Sequence, residues 1–570
     1  MRALFGRLAR HIDNPVATND RTKQKRMESR SVRSCIALAL VACSHGRRAP
    51  ELLAALPKPT PIDTNGFASV IVCDRCHTAG AAAMRDARGT DISPVTEAQA
   101  SMMSLSARDP YYLAALRREI AANPVARPAI EATCNRCHAP VGFAESGGAL
   151  SLDDLTTRTT PAAVLGREGA ACAGCHALEP DGLGSEASFG ANARLRTDRV
   201  SYGALPEPLV EAMVQMSNTT PVPSRHVTES RLCASCHTVL THRLRDDGAP
   251  IGDEIPDQTT YLEWRNSAYQ DETTPGPSAA TCQACHMPRG EDELDKAPPI
   301  ATAFSTRPPD APVREGYRRH ALRGGSSYLL RQLARNAQWL NAATTAPRLA
   351  ASAAATDVFL TGAARLELAG TRGRLAVTVV NQTGHKLPTG FPARRIWLSI
   401  VATDASGAIR FVSGGHRDGA LVGRSATRID GPGVILPHRT TIDSPDQVAI
   451  WEAVPVDPAG RRTHLLLGTA RIVKDDRILP AGWRANHADA ERTRAIGVDG
   501  DPDFVAGRDT VVVRLPAAAT RVSVELLYQS IPPETIESYR ASDSREAARF
   551  RDVVAAPPVP SVLARAALEL

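Results

Sequence analysis

Five copies of one short pattern punctuate the first half of the chain: Cys73-Asp-Arg-Cys76-His77, Cys134-Asn-Arg-Cys137-His138, Cys172-Ala-Gly-Cys175-His176, Cys233-Ala-Ser-Cys236-His237 and Cys282-Gln-Ala-Cys285-His286. Two thiols three positions apart, with an imidazole directly after the second, form the c-type haem attachment pattern. The chemistry explains the spacing. Two sulfurs add to the two vinyl groups of the porphyrin, and the next residue then lies under the iron as proximal ligand. Ten of the twelve cysteines are used in this way, and random placement of 12 Cys and 15 His in 570 residues would give about 0.007 copies of the pattern. The residues therefore read as attachment points for five haem c groups, with His77, His138, His176, His237 and His286 on the irons.

Structural zinc and disulfides are the alternatives. Zinc sites pair one Cys-x-x-Cys with a second, or with a histidine array, and have no need of a histidine abutting the second cysteine. Composition favours the porphyrin. Aromatic residues make up 4% of the chain although 43% is hydrophobic, and a haem is a large flat apolar body that fills the space aromatic side chains usually take. The haem-bearing region is expected to fold poorly without its cofactors. The net charge of +6 comes almost entirely from arginine, lysine occurring six times. No basic run interleaved with aromatics points to nucleic acid.

Each iron needs a sixth ligand or keeps an open position. Three further histidines have the surroundings of a ligand. His226 lies seven residues before Cys233. His320 is expected on a helix directly before Gly324-Gly325, where a planar ligand could approach the backbone closely. His385 sits in Asn381-Gln-Thr-Gly384-His385-Lys386-Leu-Pro388-Thr389-Gly390-Phe-Pro392, where two prolines and two glycines specify a tightly turned loop that fixes an imidazole in place. His242, His416, His438, His464 and His487 read as surface residues, and Met102 and Met103 as core.

The elements that must position these residues follow from periodicity and composition. Successive first cysteines are 61, 38, 61 and 49 residues apart, too close for each haem to own a domain, so a mostly helical and irregular pentahaem domain is expected over 65–299. Helices are expected over 96–122, 207–217, 261–269 and 314–341. The connector 300–355 should be helical and pack on the haems. Over 356–530 the pattern changes to period two, with Leu375, Val377 and Val379 and then Ile396, Leu398 and Ile400 alternating with other side chains, and strands are also expected at 465–473, 510–515 and 522–528. This is expected to be an all-β, sandwich-like domain. The tail 531–570 reads as helical and Pro-rich, and the stretch 44–64 as a tether. The fold class is thus multidomain, a mostly α and irregular multihaem domain followed by a β domain.

At the N-terminus, Arg30 and Arg33 precede a nine-residue apolar run ending at Cys43, too short to span a membrane and suited to a signal peptide. Leu40-Val41-Ala42-Cys43 resembles a bacterial lipobox, whose cysteine would carry a lipid. Residues 1–26 do not fit a signal peptide, which makes Met27 a candidate start. The segment 1–43 is therefore read as an N-terminal extension with a targeting signal, and the chain as exported to the periplasm or outer membrane.

Leu232-Cys-Ala-Ser-Cys-His-Thr238, Tyr261-Leu-Glu-Trp-Arg-Asn-Ser267, Cys282-Gln-Ala-Cys-His-Met-Pro288, His320 with Gly324-Gly325, and Gly384-His-Lys-Leu-Pro-Thr-Gly390 resemble multihaem c-type cytochromes, within them the cytochrome c-554/c-prime group that carries a C-terminal β domain. The resemblance covers residues 65–530 and departs from the group's pattern at Ser326, where an asparagine often follows the Gly-Gly pair. It implies bis-histidine haems that pass electrons to and from redox partner proteins in the cell envelope. Related folds include nitrite and hydroxylamine enzymes, so an oxidoreductase with one open haem, acting on a small nitrogen or sulfur compound, is the alternative. The Cys-x-x-Cys-Lys variant often found in such nitrite reductases is absent here, which favours electron transfer over catalysis. A carbohydrate- or partner-binding module that merely carries haems, suggested by the sandwich-like C-terminus, is a third reading.

Overall fold

Each cysteine motif falls in or beside a short helix, because one helical turn brings residues three and four apart onto one face. The computed structural model describes residues 51–294 and 296–570. Four motifs end helices, at Val70–His77, Arg127–His138, Cys172–His176 and Cys282–His286, and the remaining one, Cys233–His237, straddles the end of Arg231–Ala234. Prolines in the first turn and side-chain caps mark where several helices begin. Asp109, for example, accepts the Tyr111 amide N–H at the start of Pro110–Ala122.

These helices share one apolar core with segments remote in sequence. Leu113, Leu116 and Ile120 pack with Ile130, with Leu329, Leu330 and Leu333 of the helix Ser327–Arg335, and with Phe550 and Val553 of the helix Arg545–Val553. Leu53 and Leu56 lie in the same core. The stretch expected as a tether is therefore packed from residue 51 onward. Trp339 Nε1 donates to the carbonyls of Leu53 and Ala54, and the Leu56 amide to that of Trp339. The start of that stretch and the targeting segment with Cys43 lie outside the described residues.

Beside a small two-stranded sheet, Gly415–Arg417 with Ala420–Val422, the period-two region forms two main sheets. One has strand order Arg471–Asp475, Ile450–Val456, Arg395–Thr403, Arg521–Gln529, Ser561–Glu569, with Ile409–Ser413 also on Arg395–Thr403. The other has order Thr441–Ile442, Arg508–Arg514, Arg374–Asn381, Ala364–Thr371. Leu375, Val377, Val379, Val511 and Val513 from one sheet share a core with Ile396, Leu398, Ile400, Val522 and Val524 from the other. Burying each such side chain contributes about 1.5–3 kcal/mol.

Several boundaries differ from expectation. The helix expected over 96–122 is two, Pro94–Gln99 and Pro110–Ala122, and that over 314–341 is reduced to Ser327–Arg335 and Ala337–Leu340. Residues 315–326 are irregular because their backbone and arginines bond to other segments. Leu465–Val473 is strand only from Arg471. The tail ends in the strand Ser561–Glu569, antiparallel to Arg521–Gln529. Among the described residues no helix is long and apolar enough to cross a membrane.

Candidate metal centres

The ten motif cysteines are all free of disulfides. Among the described residues, the one cluster of three or more His, Cys, Asp and Glu ligand atoms close enough for a shared ion lies elsewhere, so no motif gathers a tetrahedral zinc set. The five motif imidazoles instead share a different arrangement, in which Nδ1 is occupied. His77 Nδ1 donates to the Phe304 carbonyl (2.9 Å), His138 to Ser106 (3.2 Å), His176 to Tyr202 (2.6 Å) and His286 to Arg323 (2.6 Å). His237 differs, its Nδ1 accepting from the Gln258 side-chain amide N–H at 2.8 Å. In the four that donate to a carbonyl, this fixes ring orientation and leaves Nε2 unprotonated for a metal. Burial lowers His138 and His237 to about 4, and lowers His77 and His286 as well. The rings are thereby kept neutral, the state a ligand needs.

Two of the three expected distal histidines face a motif histidine. His320 lies 6.2 Å from His176, ring centre to ring centre with 23° between the planes, and His385 lies 6.3 Å from His286 at 18°. The separation is too wide for ring-on-ring contact. It matches one metal ion held between two imidazoles, since two metal–nitrogen bonds of about 2 Å and about 1 Å from each nitrogen to its ring centre total about 6 Å. His320 and His385 also have Nδ1 occupied, by the carbonyls of Arg318 (3.0 Å) and Lys386 (2.9 Å), and burial lowers both to about 4.

The third, His226, pairs with no motif imidazole at this spacing among the described residues. It is buried with both ring nitrogens engaged, Nδ1 with Ser224 Oγ at 2.6 Å and Nε2 with the Leu178 carbonyl at 2.9 Å. His320 stands in an irregular segment and not on a helix, and Gly325 makes room for the Tyr528 ring and not for a planar ligand, because a Cβ there would meet the Tyr528 hydroxyl at 2.3 Å. His242 and His416 are exposed as expected. His438 is not a surface residue, since its ring is held between Asp476 and Asp501.

The loop carrying His385 is clamped from two sides. Asn381 Nδ2 donates to the His385 and Ile478 carbonyls, at 2.8 and 3.0 Å. Glu263, on the helix Thr260–Arg265, accepts the Lys386 amide N–H (3.0 Å) and the Thr389 hydroxyl. Lys386 Nζ is fully buried and sits 2.6 Å from Asp475, which also pairs with Arg477. Gly384 packs closely here, because a Cβ would meet the Trp264 and Tyr269 side chains at 3.0 and 3.1 Å. The segment carrying His320 is held differently. Arg319 pairs with Glu97 at 2.6 Å and Arg323 with Glu293, while the Arg319 and Arg323 amides donate to the Pro288 and His286 carbonyls. Arg323 thus orients His286 through its own carbonyl while its neighbour His320 faces His176.

Thiols of different motifs interact in pairs, Cys73 with Cys172, Cys233 with Cys282 and Cys236 with Cys137. Cys175 lies within electrostatic reach of Cys236. The fourth motif therefore neighbours the second, third and fifth, and the first joins through the third. Sequence spacing gave no hint of this branching.

No family model matches the chain, and no curated protein matches it. Among solved structures it is similar to a penta-heme cytochrome c552 from Thermochromatium tepidum, at 17% identity and a TM-score of 0.41, over 77% of this chain and 83% of that one.

Proposed function

We propose that this chain is an exported pentahaem c-type cytochrome that carries electrons in the cell envelope. The observation that carries the reading is the pairing of His176 with His320 and of His286 with His385 at a one-metal spacing, every ring having its Nδ1 satisfied. The cofactor supplies reversible one-electron chemistry when bound. The chain's own residues do the rest. Cys73, Cys76, Cys134, Cys137, Cys172, Cys175, Cys233, Cys236, Cys282 and Cys285 attach five porphyrins, the motif histidines hold the irons, and His320 and His385 close the distal faces of two. The adjacency of motifs through their thiols keeps neighbouring centres close enough for electron hopping. Export, a lipid anchor at Cys43 and exchange with redox partner proteins rest on the sequence of the targeting segment.

The test is haem quantitation and low-temperature electron paramagnetic resonance of the protein purified from its native envelope. Five haems per chain with at least two low-spin bis-histidine signals are expected. His385→Ala and His320→Ala should each convert one haem to high spin, with recovery on adding imidazole. A colourless protein with free thiols, or spectra unchanged by both substitutions, overturns the reading. The second reading, an oxidoreductase with an open haem, is favoured by one observation. Among the described residues no second imidazole pairs at this spacing with His77, His138 or His237. A high-spin signal in the unmodified protein that shifts with nitrite, hydroxylamine or sulfite would select it.

A further inference from the structure

Far in sequence from every cysteine motif, His438, Asp501 and Asp509 place one ligand atom each within 4.8 Å of one another. Three sections of chain supply them: the segment before Thr441–Ile442, the loop before Arg508–Arg514, and that strand itself. Asp509 is fully buried. Its Oδ2 accepts the Trp451 indole N–H at 2.7 Å, while its Oδ1 has no hydrogen-bond partner. A buried carboxylate oxygen left unpaired costs free energy and calls for a cation or proton donor. His438 Nε2 lies 2.8 Å from Asp501 Oδ2, and Nδ1 lies 3.0 Å from Asp476 Oδ2. Asp476 is itself buried and satisfied, by Lys474 at 3.3 Å and by the Glu452 amide at 2.8 Å.

We propose that His438, Asp501 and Asp509 bind a divalent cation of the zinc class. Asp476 then stands behind His438 as the carboxylate that fixes a metal-bound imidazole, and Trp451 fixes Asp509 in the same way. Charge supports the assignment. Lys474 balances Asp476, and once the ion displaces the proton that Asp476 and Asp501 hold on His438, the two remaining carboxylates match a doubly charged ion. One imidazole with two carboxylates suits zinc better than calcium, which takes oxygen ligands throughout. Three protein ligands leave a position for water. The role that fits is a clamp, because the ligands belong to the four-stranded sheet and its flanking loops while Trp451 belongs to the six-stranded sheet and Asp476 directly follows its edge strand. Asp476 adjoins Asp475, which holds Lys386 of the His385 loop.

The experiment uses the full holoprotein, stripped with a chelator that leaves covalent haem iron in place. Equilibrium dialysis against zinc, read by elemental analysis, should give one zinc per chain. Asp509→Asn, which keeps the side-chain shape and the Trp451 contact, should weaken binding at least tenfold with haem content and visible spectrum unchanged, and Asp501→Asn should do the same. Zinc should raise the urea midpoint of the unsubstituted protein and leave that of Asp509→Asn unmoved. Absence of a stoichiometric zinc, or zinc binding of equal strength in both variants, overturns the proposal.

Discussion

The loop holding His385 and the segment holding His320 place an imidazole the same distance from a motif histidine by opposite means. Residues 381–392 form a turn whose own composition dictates its shape, with Asn381 folded back on the His385 carbonyl and Gly384 admitting Trp264. Residues 318–323 have no turn signature. They are positioned by arginines that reach outward to Glu97, Glu293 and the carbonyls of Gln283 and Met287. One imidazole is held by local backbone geometry with a buried ionic clamp, the other by side-chain anchors spread over the helical region. Damage to the first should stay concentrated, and damage to the second should be shared.

The sharpest way to break this contrast is Glu263→Gln. Glu263 is fully buried and accepts from Lys386 and Thr389, with Arg477 3.8 Å away. Removing its charge leaves Arg477 partly uncompensated and turns an amide NH2 toward donors. Breaking one member of a buried charged network costs about 3–5 kcal/mol. Urea unfolding of the holoprotein should show that loss, together with partial high-spin character at the haem of His286. A loss below about 1 kcal/mol would show that the turn stands without its clamp, since a replaced surface contact costs no more.

Glu97→Gln tests the other side and should cost less, about 0.5–1 kcal/mol, because Arg319 keeps Glu293 at 3.4 Å and the uncharged amide resembles the form of Glu97 that folding favours. The two clamps should also differ in the sign of their pH dependence. Burial raises Glu97 to about 7 in spite of Arg319, above the unfolded value of about 4.3. Its protonated form is favoured by folding, so this contribution is lost as pH rises from about 4 to about 7. Burial would raise Asp475 as well, but Arg477 and Lys386 overcome it and hold the carboxyl well below the usual range. That contribution is present above about pH 4, near the unfolded value, and is lost as pH falls further. Unfolding midpoints at pH 3.5, 5 and 7.5 (about the two unfolded and folded values) should show Glu97→Gln flattening the rise side only. Equal slopes in variant and parent would remove Glu97 from the account.

The contrast also sets what could be read from the residues. The Gly-His-Lys-Leu-Pro-Thr-Gly loop announced itself because glycine and proline encode backbone shape directly. So did the cysteine motifs, whose chemistry is contained in five consecutive residues, and the alternating strands around Leu375 and Ile396. The segment around His320 resembled a helix because its determinants, Glu97 and Glu293, lie far away in sequence. His226 looked available for the same reason: Leu178, which occupies its Nε2, is 48 residues distant. Leu53 and Leu56 were hidden among prolines and charges. The strand Ser561–Glu569 was obscured by its alanines and by having Leu563 as its one fully buried position, as befits a sheet edge. His438 carried no motif, its partners standing 38 and 63 residues on.

The smallest effect is the finest test of how the His320 segment is held. Leu322 sits at φ 46°, a left-handed conformation that costs a branched residue about 1 kcal/mol. Leu322→Gly relieves that strain but adds freedom to the unfolded chain worth about 0.5–1 kcal/mol. If the arginine anchors alone fix the segment, the two nearly cancel, and the urea midpoint and the low-spin signal of the His176 haem should both stay put. A loss of more than about 2 kcal/mol, the range of core truncations, would instead make the half-buried Leu322 side chain a holding element, and the segment would then resemble the His385 loop in being fixed by local packing.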